Sequence, residues 1–370
     1  MNGVVEEPSR PAYTRVVLFH VQSAFTVEHV LAFGWFLGEL RAPWHEMLVS
    51  LECEKRATEL DLEPEDNALN AMADEFRYER ELLTVEEIER WLAARDLTED
   101  DFNSYLVRRY WRANPPESSN SAGSEEPDYL ESAFELRDLL RAELLLSGKF
   151  DRLARAASWR LVLPAEDETS AQLLKTERAR FFERTGLNEE SLAGALKKLG
   201  RDPAWLEEWL GMEIRYGRLR ETLLTAEARA RALVAQRLPL TKITIEMLTL
   251  RSKDAAQEAV LCLREKLLSS EELAKECRAS WEPQEFFLGD CEPDVQQEFL
   301  SATPGEVLSP KPFGEDFVVS RIVAKTEPNL ADAQIRSRID QRLLRSHFSE
   351  LTSRSIRWVL GHSMPPSAEA

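Results

Sequence analysis

The side chains of this 370-residue chain that could carry chemistry are few: five histidines, four cysteines and paired acids such as Glu86-Glu87 and Asp100-Asp101. His20 and His29 are nine residues apart, off the same-face spacing of helical ligands, and His45 follows a turn, so core or capping roles account for all three. Cys53, Cys262, Cys277 and Cys291 lack CxxC spacing and have no histidine close enough in sequence to complete a zinc site, which reads as reduced, mostly buried thiols. Glu86-Glu87 and Asp100-Asp101 stand in predicted first helical turns. There they interact favourably with the helix dipole and lack the burial that a general acid needs. No GxSxG, HExxH, GxGxxG, P-loop or CxxC occurs, so hydrolase, zincin, dinucleotide and nucleotide-phosphate chemistry have no anchor. The sequence therefore offers no catalytic residues, no metal ligands and no cofactor.

Sixty-six acidic against 47 basic residues give a formal charge of −19, which argues against nucleic acid or an anionic membrane as the main partner and is compatible with neutral or basic peptides. The start, Met1-Asn2-Gly3-Val4-Val5-Glu6-Glu7, has no basic n-region, and Val16–Leu37 is interrupted by His20, Gln22, Glu28 and His29. A cytoplasmic protein without a membrane span is expected.

The most informative elements lie between Thr241 and Pro328. Ile243-Thr244-Ile245-Glu246-Met247-Leu248-Thr249-Leu250 alternates as a strand with one buried face, and Ala255, Ala256, Ala259, Val260, Leu263 and Leu267 then recur at helical spacing. A second short helix is predicted over Ser270–Ala279. Trp281–Gly289 is aromatic and extended, Pro293–Ala302 makes another helix, and Pro304-Gly305 signals a turn. Phe317–Val323 is a last strand, closed by Lys325-Thr326-Glu327-Pro328.

This order, with Pro304-Gly305-Glu306-Val307, Ser309-Pro310 and Leu288-Gly289, resembles the parvulin (rotamase) domain over roughly a quarter of the chain. Cys291 stands where the family's "LG.F" segment has its aromatic residue. Active parvulins carry a histidine in the first strand and another in the last, with a Cys or Asp between. Here those positions fall on Glu246 and on Asp316 or Phe317, and no histidine lies between His45 and His347. The resemblance thus implies a degenerate parvulin domain without isomerase chemistry, one that keeps an apolar cleft and a sheet edge for an extended peptide. Trp281, Phe286, Phe287, Phe299, Phe313, Phe317 and Val318 are its expected peptide-contacting set, although core packing explains any single one of them.

Upstream the pattern is helical. Tyr13–Leu40 reads as one long helix, or two broken near Gly34, ended by Arg41-Ala42-Pro43. A helix over Trp44–Leu60 follows, and then helices launched by the acids of Asp61–Asp66, by the capping box Thr84-Val85-Glu86-Glu87 and by Thr98-Glu99-Asp100-Asp101. Residues 115–127 are rich in Pro, Ser and acids and read as a linker. Beyond it, Leu161–Asp167 echoes Leu60–Asp66, and Asp202–Leu206 echoes Thr98–Phe102, at a spacing of one domain, which suggests an internal duplication. "RATELDLEPED", "FRYERELL" and "WLAARDLTEDDF" resemble the N-terminal helical domain of SurA-type chaperones, in which a C-terminal helix returns to that domain. The basic helix over Asn329–Val359 fits this role.

The expected architecture is α+β: mostly helical SurA-like chaperone modules with a small degenerate parvulin-like antiparallel sheet domain. Its parts are a helical domain 1–114, a linker 115–127, a second helical domain 128–240, the parvulin-like domain 241–328, a returning helix 329–360 and a tail 361–370. Without a signal peptide, this combination most resembles peptide-maturation proteins of bacterial gene clusters for ribosomally made, modified peptides, such as the precursor-binding proteins of crocagin-type pathways. That resemblance implies a non-catalytic protein that binds a precursor peptide and presents it to a modifying enzyme. An altered-site prolyl isomerase and a general holdase are the alternatives. A homodimer stays open, since the aromatic first helix suits an interface as well as a core.

Overall fold

A computed structural model describes residues 12–116, 129–130, 132–164, 170–313 and 316–359, with only the backbone at Phe313. The expected linker from residue 117 on, residues 165–167 of the repeat echo and the tail 361–370 lie outside the described residues. The strands are β1 (Val16–His20), β2 (Ser23–Thr26), β3 (Lys242–Leu250), β4 (Glu282–Phe287), β5 (Lys311–Phe313), β6 (Asp316–Thr326) and β7 (Ile356–Trp358). The helices up to the linker are α1 (Val27–Phe36), α2 (Arg41–Glu59), α3 (Asp66–Tyr78), α4 (Val85–Ala93) and α5 (Glu99–Ala113). After it come α6 (Phe134–Leu146), α7 (Lys149–Leu161), α8 (Ala171–Thr185), α9 (Glu189–Lys198), α10 (Pro203–Leu223) and α11 (Ala226–Ala235). Within and beyond the second sheet are α12 (Lys253–Arg264), α13 (Ser270–Cys277), α14 (Pro293–Ser301) and α15 (Ala333–Ser355). The fold is α+β and mostly helical, with two small antiparallel sheets. The residues divide into two compact units: one up to Leu219 together with the stretch from Phe348 on, the other Arg220–His347.

The first unit opens with strands where one long helix is predicted, and this corrects the reading of Tyr13–Leu40. Val16-Val17-Leu18-Phe19 is a run of β-branched and bulky side chains that lose rotamer freedom in a helix and pack well on a pleated sheet. Val21, at φ 55°, reverses the chain, so β1 pairs with β2 on one side and with β7 on the other. The helix begins only at Val27, after Thr26. Pro43 does not end a helix: it sits in the first turn of α2, where a missing N–H costs nothing. The capping boxes form as the sequence indicates. Thr84 Oγ1 accepts from the Glu87 amide at 3.2 Å while Glu87 accepts from the Thr84 amide at 3.0 Å, and Thr98 and Asp101 repeat the exchange at 3.1 and 2.8 Å.

One core runs through this unit. It joins Phe33, Phe36, Phe76 and Phe102 to Leu140, Phe150, Phe181 and Trp209. The ring centroids of Phe33 and Trp209 are 4.6 Å apart and those of Phe36 and Phe181 are 5.6 Å apart. Phe33 and Phe36, two of the aromatic residues of the predicted first helix, are fully buried in the unit's own core. Two ion pairs are buried between helices: Arg108 with Glu143 at 2.6 Å, and Arg160 with Glu213 through two bonds of 2.7 and 3.1 Å.

In the second unit the sheet order is β4-β3-β6-β5. The strand read in residues 243–250 forms, but it buries both faces and not the single one expected. Ile243 and Ile245 join Ile322, Phe299, Leu288 and Leu308 in one core, whereas Leu248 and Leu250 join Val319, Ala256, Val260 and Leu273 in another. Ser252 caps α12 by accepting from the Ala255 amide at 3.2 Å.

Candidate functional site

A charge at the centre of an otherwise apolar strand must find a partner or face water. Two such charges stand in this sheet. Glu246 of β3 and Arg321 of β6 are direct cross-strand partners, and the guanidinium and carboxylate form an ion pair. Arg321 also donates to Ser270 Oγ at 2.6 Å, at the start of α13, and its guanidinium carbon lies 5.7 Å from the Trp281 ring centre. The indole N–H of Trp281 donates to the Ser270 carbonyl at 2.8 Å. α13 is held in place by its own box, in which Ser269 Oγ accepts from the Glu272 amide at 3.2 Å and Glu272 accepts from the Ser269 amide at 2.9 Å. Those bonds stabilise the charged form, so the Glu272 carboxyl is held below the usual carboxylate range.

The segment Pro304-Gly305-Glu306-Val307 builds the other wall. Gly305 has φ +89°, the Glu306 amide donates to the Thr303 carbonyl at 2.9 Å, and Pro304 takes the position where its fixed φ is an advantage, the pattern of a type II turn. The chain then follows the outer edge of β6. Gly305 donates to the Ile322 carbonyl at 2.8 Å, Ile322 to the Glu306 carbonyl at 3.0 Å and Leu308 to the Ser320 carbonyl at 2.9 Å. Arg264, the last residue of α12, ties the segment down by donating to the Val307 carbonyl at 2.9 and 3.2 Å. Between this wall and the α12–α13 connection opens a cavity of about 500 Å³ whose lining includes Leu263, Leu267, Leu268, Ser270, Val307 and Arg321. Leu267, which sequence periodicity assigns to a buried stripe, is 71% exposed.

The expected peptide-contacting residues do not line one surface. Trp281 and Phe317 pack in the core with Leu248 and Val319. Phe286 and Phe299 meet in the core on the other face, with ring centroids 5.2 Å apart. Phe287 is buried with Leu240, Ile335 and Ile339 beneath Arg338, and Val318 is buried. The side chain of Phe313 lies outside the described residues. Only Trp281, among those described, touches the Glu246–Arg321–Ser270 cluster. Asp316 and Phe317 lie toward the start of β6, with Phe317 opposite Leu250, so neither pairs with Glu246. The residue facing Glu246 is Arg321, which sequence reasoning passed over. The signal was present in the sequence: Arg321 is the single basic residue of Phe317–Val323 and Glu246 the single acid of Ile243–Leu250.

The outer strands are poor templates for an added strand. The exposed part of β4 reads Glu282-Pro283-Gln284-Glu285, with a missing donor and two charges, and β5 has three residues including Pro312. Chemically, the cluster can donate hydrogen bonds from Ser270 and Arg321, and it contains no imidazole.

No family model and no curated protein matches the sequence. Solved structures similar in fold include a peptidylprolyl isomerase, PrsA, from Bacillus anthracis, with 12% identity over 54% of this chain and 96% of that one and a TM-score of 0.29. The foldase PrsA from Streptococcus pneumoniae has 15% identity over 59% and 87%, with a TM-score of 0.26. A SurA-like chaperone from Campylobacter jejuni has 9% identity over 58% and 87%, with a TM-score of 0.19. At these identities and TM-scores the likeness carries no inference about this chain.

Proposed function

We propose that this chain is a non-catalytic, chaperone-like peptide-binding protein that holds an extended ribosomal precursor peptide and presents it to a modifying enzyme. The observation that carries this reading is the ion pair of Glu246 with Arg321 beside a cavity in which Leu263, Leu267 and Leu268 stand among polar side chains that include Lys266, Ser270 and Glu272. A carboxylate engaged by a guanidinium is a poor proton shuttle, while Leu263, Leu267 and Leu268 can take side chains and Ser270 can meet a backbone carbonyl. A peptide held in this way reaches a partner enzyme at raised effective concentration.

The test is a fluorescence anisotropy titration with a panel of labelled, unstructured apolar peptides. Saturable binding that Leu267→Asp weakens roughly 10-fold is expected, since Leu267 is exposed in the free protein and covering a carboxylate with an apolar peptide side chain costs far more than covering leucine. Binding that Leu267→Asp and Leu268→Asp both leave intact would remove the cavity from the proposal. The enzyme alternative is checked on a short Xaa-Pro peptide. No turnover above the uncatalysed rate is expected, and turnover abolished by Glu246→Ala would establish an isomerase instead.

A further inference from the structure

α15 is a net basic helix in an acidic chain, and part of it lines a second cavity of about 570 Å³, away from the Glu246–Arg321 cluster, whose lining residues all belong to the second unit. Arg338, Arg342 and Arg345 reach it from positions i, i+4 and i+7, which lie on one helical face. The three are not equivalent. Arg338 is fixed: it makes two 2.7 Å bonds to the two oxygens of Asp290 and lies 4.0 Å from the Phe287 ring centre. Arg342 and Arg345 are exposed, and among the described residues neither has a hydrogen-bond or ion-pair partner. The floor between them is apolar, formed by Ala235, Pro239, Leu240 and Ile339. It is closed by a tight crossing in which the Gly289 amide donates to the Pro239 carbonyl at 2.8 Å. A Cβ at Gly289 would lie 2.8 Å from the Pro239 Cβ and 3.0 Å from that carbonyl oxygen, so this part of the Leu288-Gly289 motif needs glycine to bring the two segments together.

We propose that this cavity binds an extended acidic peptide segment, with the carboxylates of two alternate residues, which share one face of the chain, on Arg342 and Arg345. Spacing favours an extended chain over a single compact anion. Residues 342 and 345 are separated by about 4.5 Å of helix rise, to which the reach of two long side chains is added, and alternate residues of an extended chain are about 6.5–7 Å apart on one face. Guanidinium groups match carboxylates in bidentate geometry, and both are free to do so here. Asp290 already holds Arg338 in place, so the site has a rigid wall and two unspent charges. The charge of −19 for the whole chain disfavours a polyanion such as nucleic acid, which would meet repulsion beyond the pocket, whereas a short acidic segment stays within it.

The experiment is an anisotropy titration of the full chain with a labelled ten-residue peptide alternating Glu and Leu, and with the same peptide carrying Gln for Glu. The acidic peptide should bind at least about 10-fold more tightly than the Gln peptide, and R342E/R345E should remove that advantage. Charge reversal at the exposed Arg251 should not. R342K/R345K, which keeps the charge and loses the fork, should bind with intermediate affinity, and far-UV circular dichroism checks that each variant is folded. Equal binding of both peptides, or undiminished binding by R342E/R345E, would overturn the proposal, as would tighter binding of a single-stranded oligonucleotide. Leu267→Asp separates this site from the other cavity: acidic-peptide binding should survive it even if the apolar-peptide reading fails.

Discussion

Both units place arginine–carboxylate pairs among apolar side chains, and they use them differently. In the helical unit Arg160 and Glu213 are 6% and 17% exposed, Arg108 and Glu143 are 5% and 15% exposed, and each pair ties helices that are distant in sequence. In the sheet unit Glu246 and Arg321 are 30% and 33% exposed and stand beside a cavity. The first kind of pair is committed to architecture. The second is about one third exposed beside the cavity, where ion pairs typically contribute little to stability. Burial separates the two kinds of pair here, where residue type cannot.

The largest expected effect follows from the buried pairs. Arg160 makes two bonds to Glu213, donates to the Ala156 carbonyl at 3.0 Å and lies 3.7 Å from the Tyr216 ring centre. Glu213→Ala leaves that guanidinium buried without its counter-charge, and the expected loss is about 3–5 kcal/mol in urea unfolding. A loss under about 1 kcal/mol would erase the distinction between the two units. Glu143 sharpens the point. Burial pushes its carboxyl up, ahead of the opposing effect of Arg108. A carboxyl raised in the folded state contributes stability that is complete below its unfolded value and lost as pH rises through the folded one. Glu143→Gln, which keeps an acceptor for Arg108, should therefore cost less than Glu143→Ala and should flatten the pH dependence above the ordinary carboxylate range.

Glu246→Ala should behave oppositely. With about a third of each side chain in water, the pair is expected to contribute about 1 kcal/mol or less, so the unfolding midpoint should move little. The effect should instead appear in binding, because Arg321 is then free to attract carboxylates into the cavity. A large loss of stability with unchanged peptide binding would make the Glu246–Arg321 pair a structural device like those of the helical unit.

How much of this could be read in the sequence depended on how local the cause was. Strands β3 and β6, the Ser252 cap, the boxes at Thr84 and Thr98 and the turn at Pro304-Gly305 are set by residues within a few positions of one another, and all form. The hairpin of β1 and β2 was misread as helix because an apolar run has no period of its own. Its stabilising partner β7 comes from the opposite end of the described chain, hidden at the end of a predicted helix. The site was legible only in part for the same reason. Aromatic residues mark cores as readily as grooves, and Phe286 and Phe287, adjacent in sequence, point into different cores because side chains alternate along a strand. Arg321 acquires its role only when β6 is laid beside β3.

The smallest expected effect tests whether a titratable group in the helical unit is also structural. Nδ1 of His29 accepts from the Thr26 amide at 3.2 Å and lies 2.7 Å from the Thr26 hydroxyl, at the start of α1. Accepting requires the neutral ring. Burial lowers the pKa of His29, and Arg201 adds to the shift while Glu28 opposes it. For a histidine lowered in the folded state, stability is complete above the ordinary value of 6.5 and is lost as pH falls through the folded value. Acidification below that point should destabilise the helical unit by about 0.5–1 kcal/mol, the size of a lost cap, and leave the sheet unit unchanged. His29→Ala should carry the same cost at neutral pH and remove the acid-side dependence. If the acid-side loss persists in His29→Ala, the titrating group lies elsewhere.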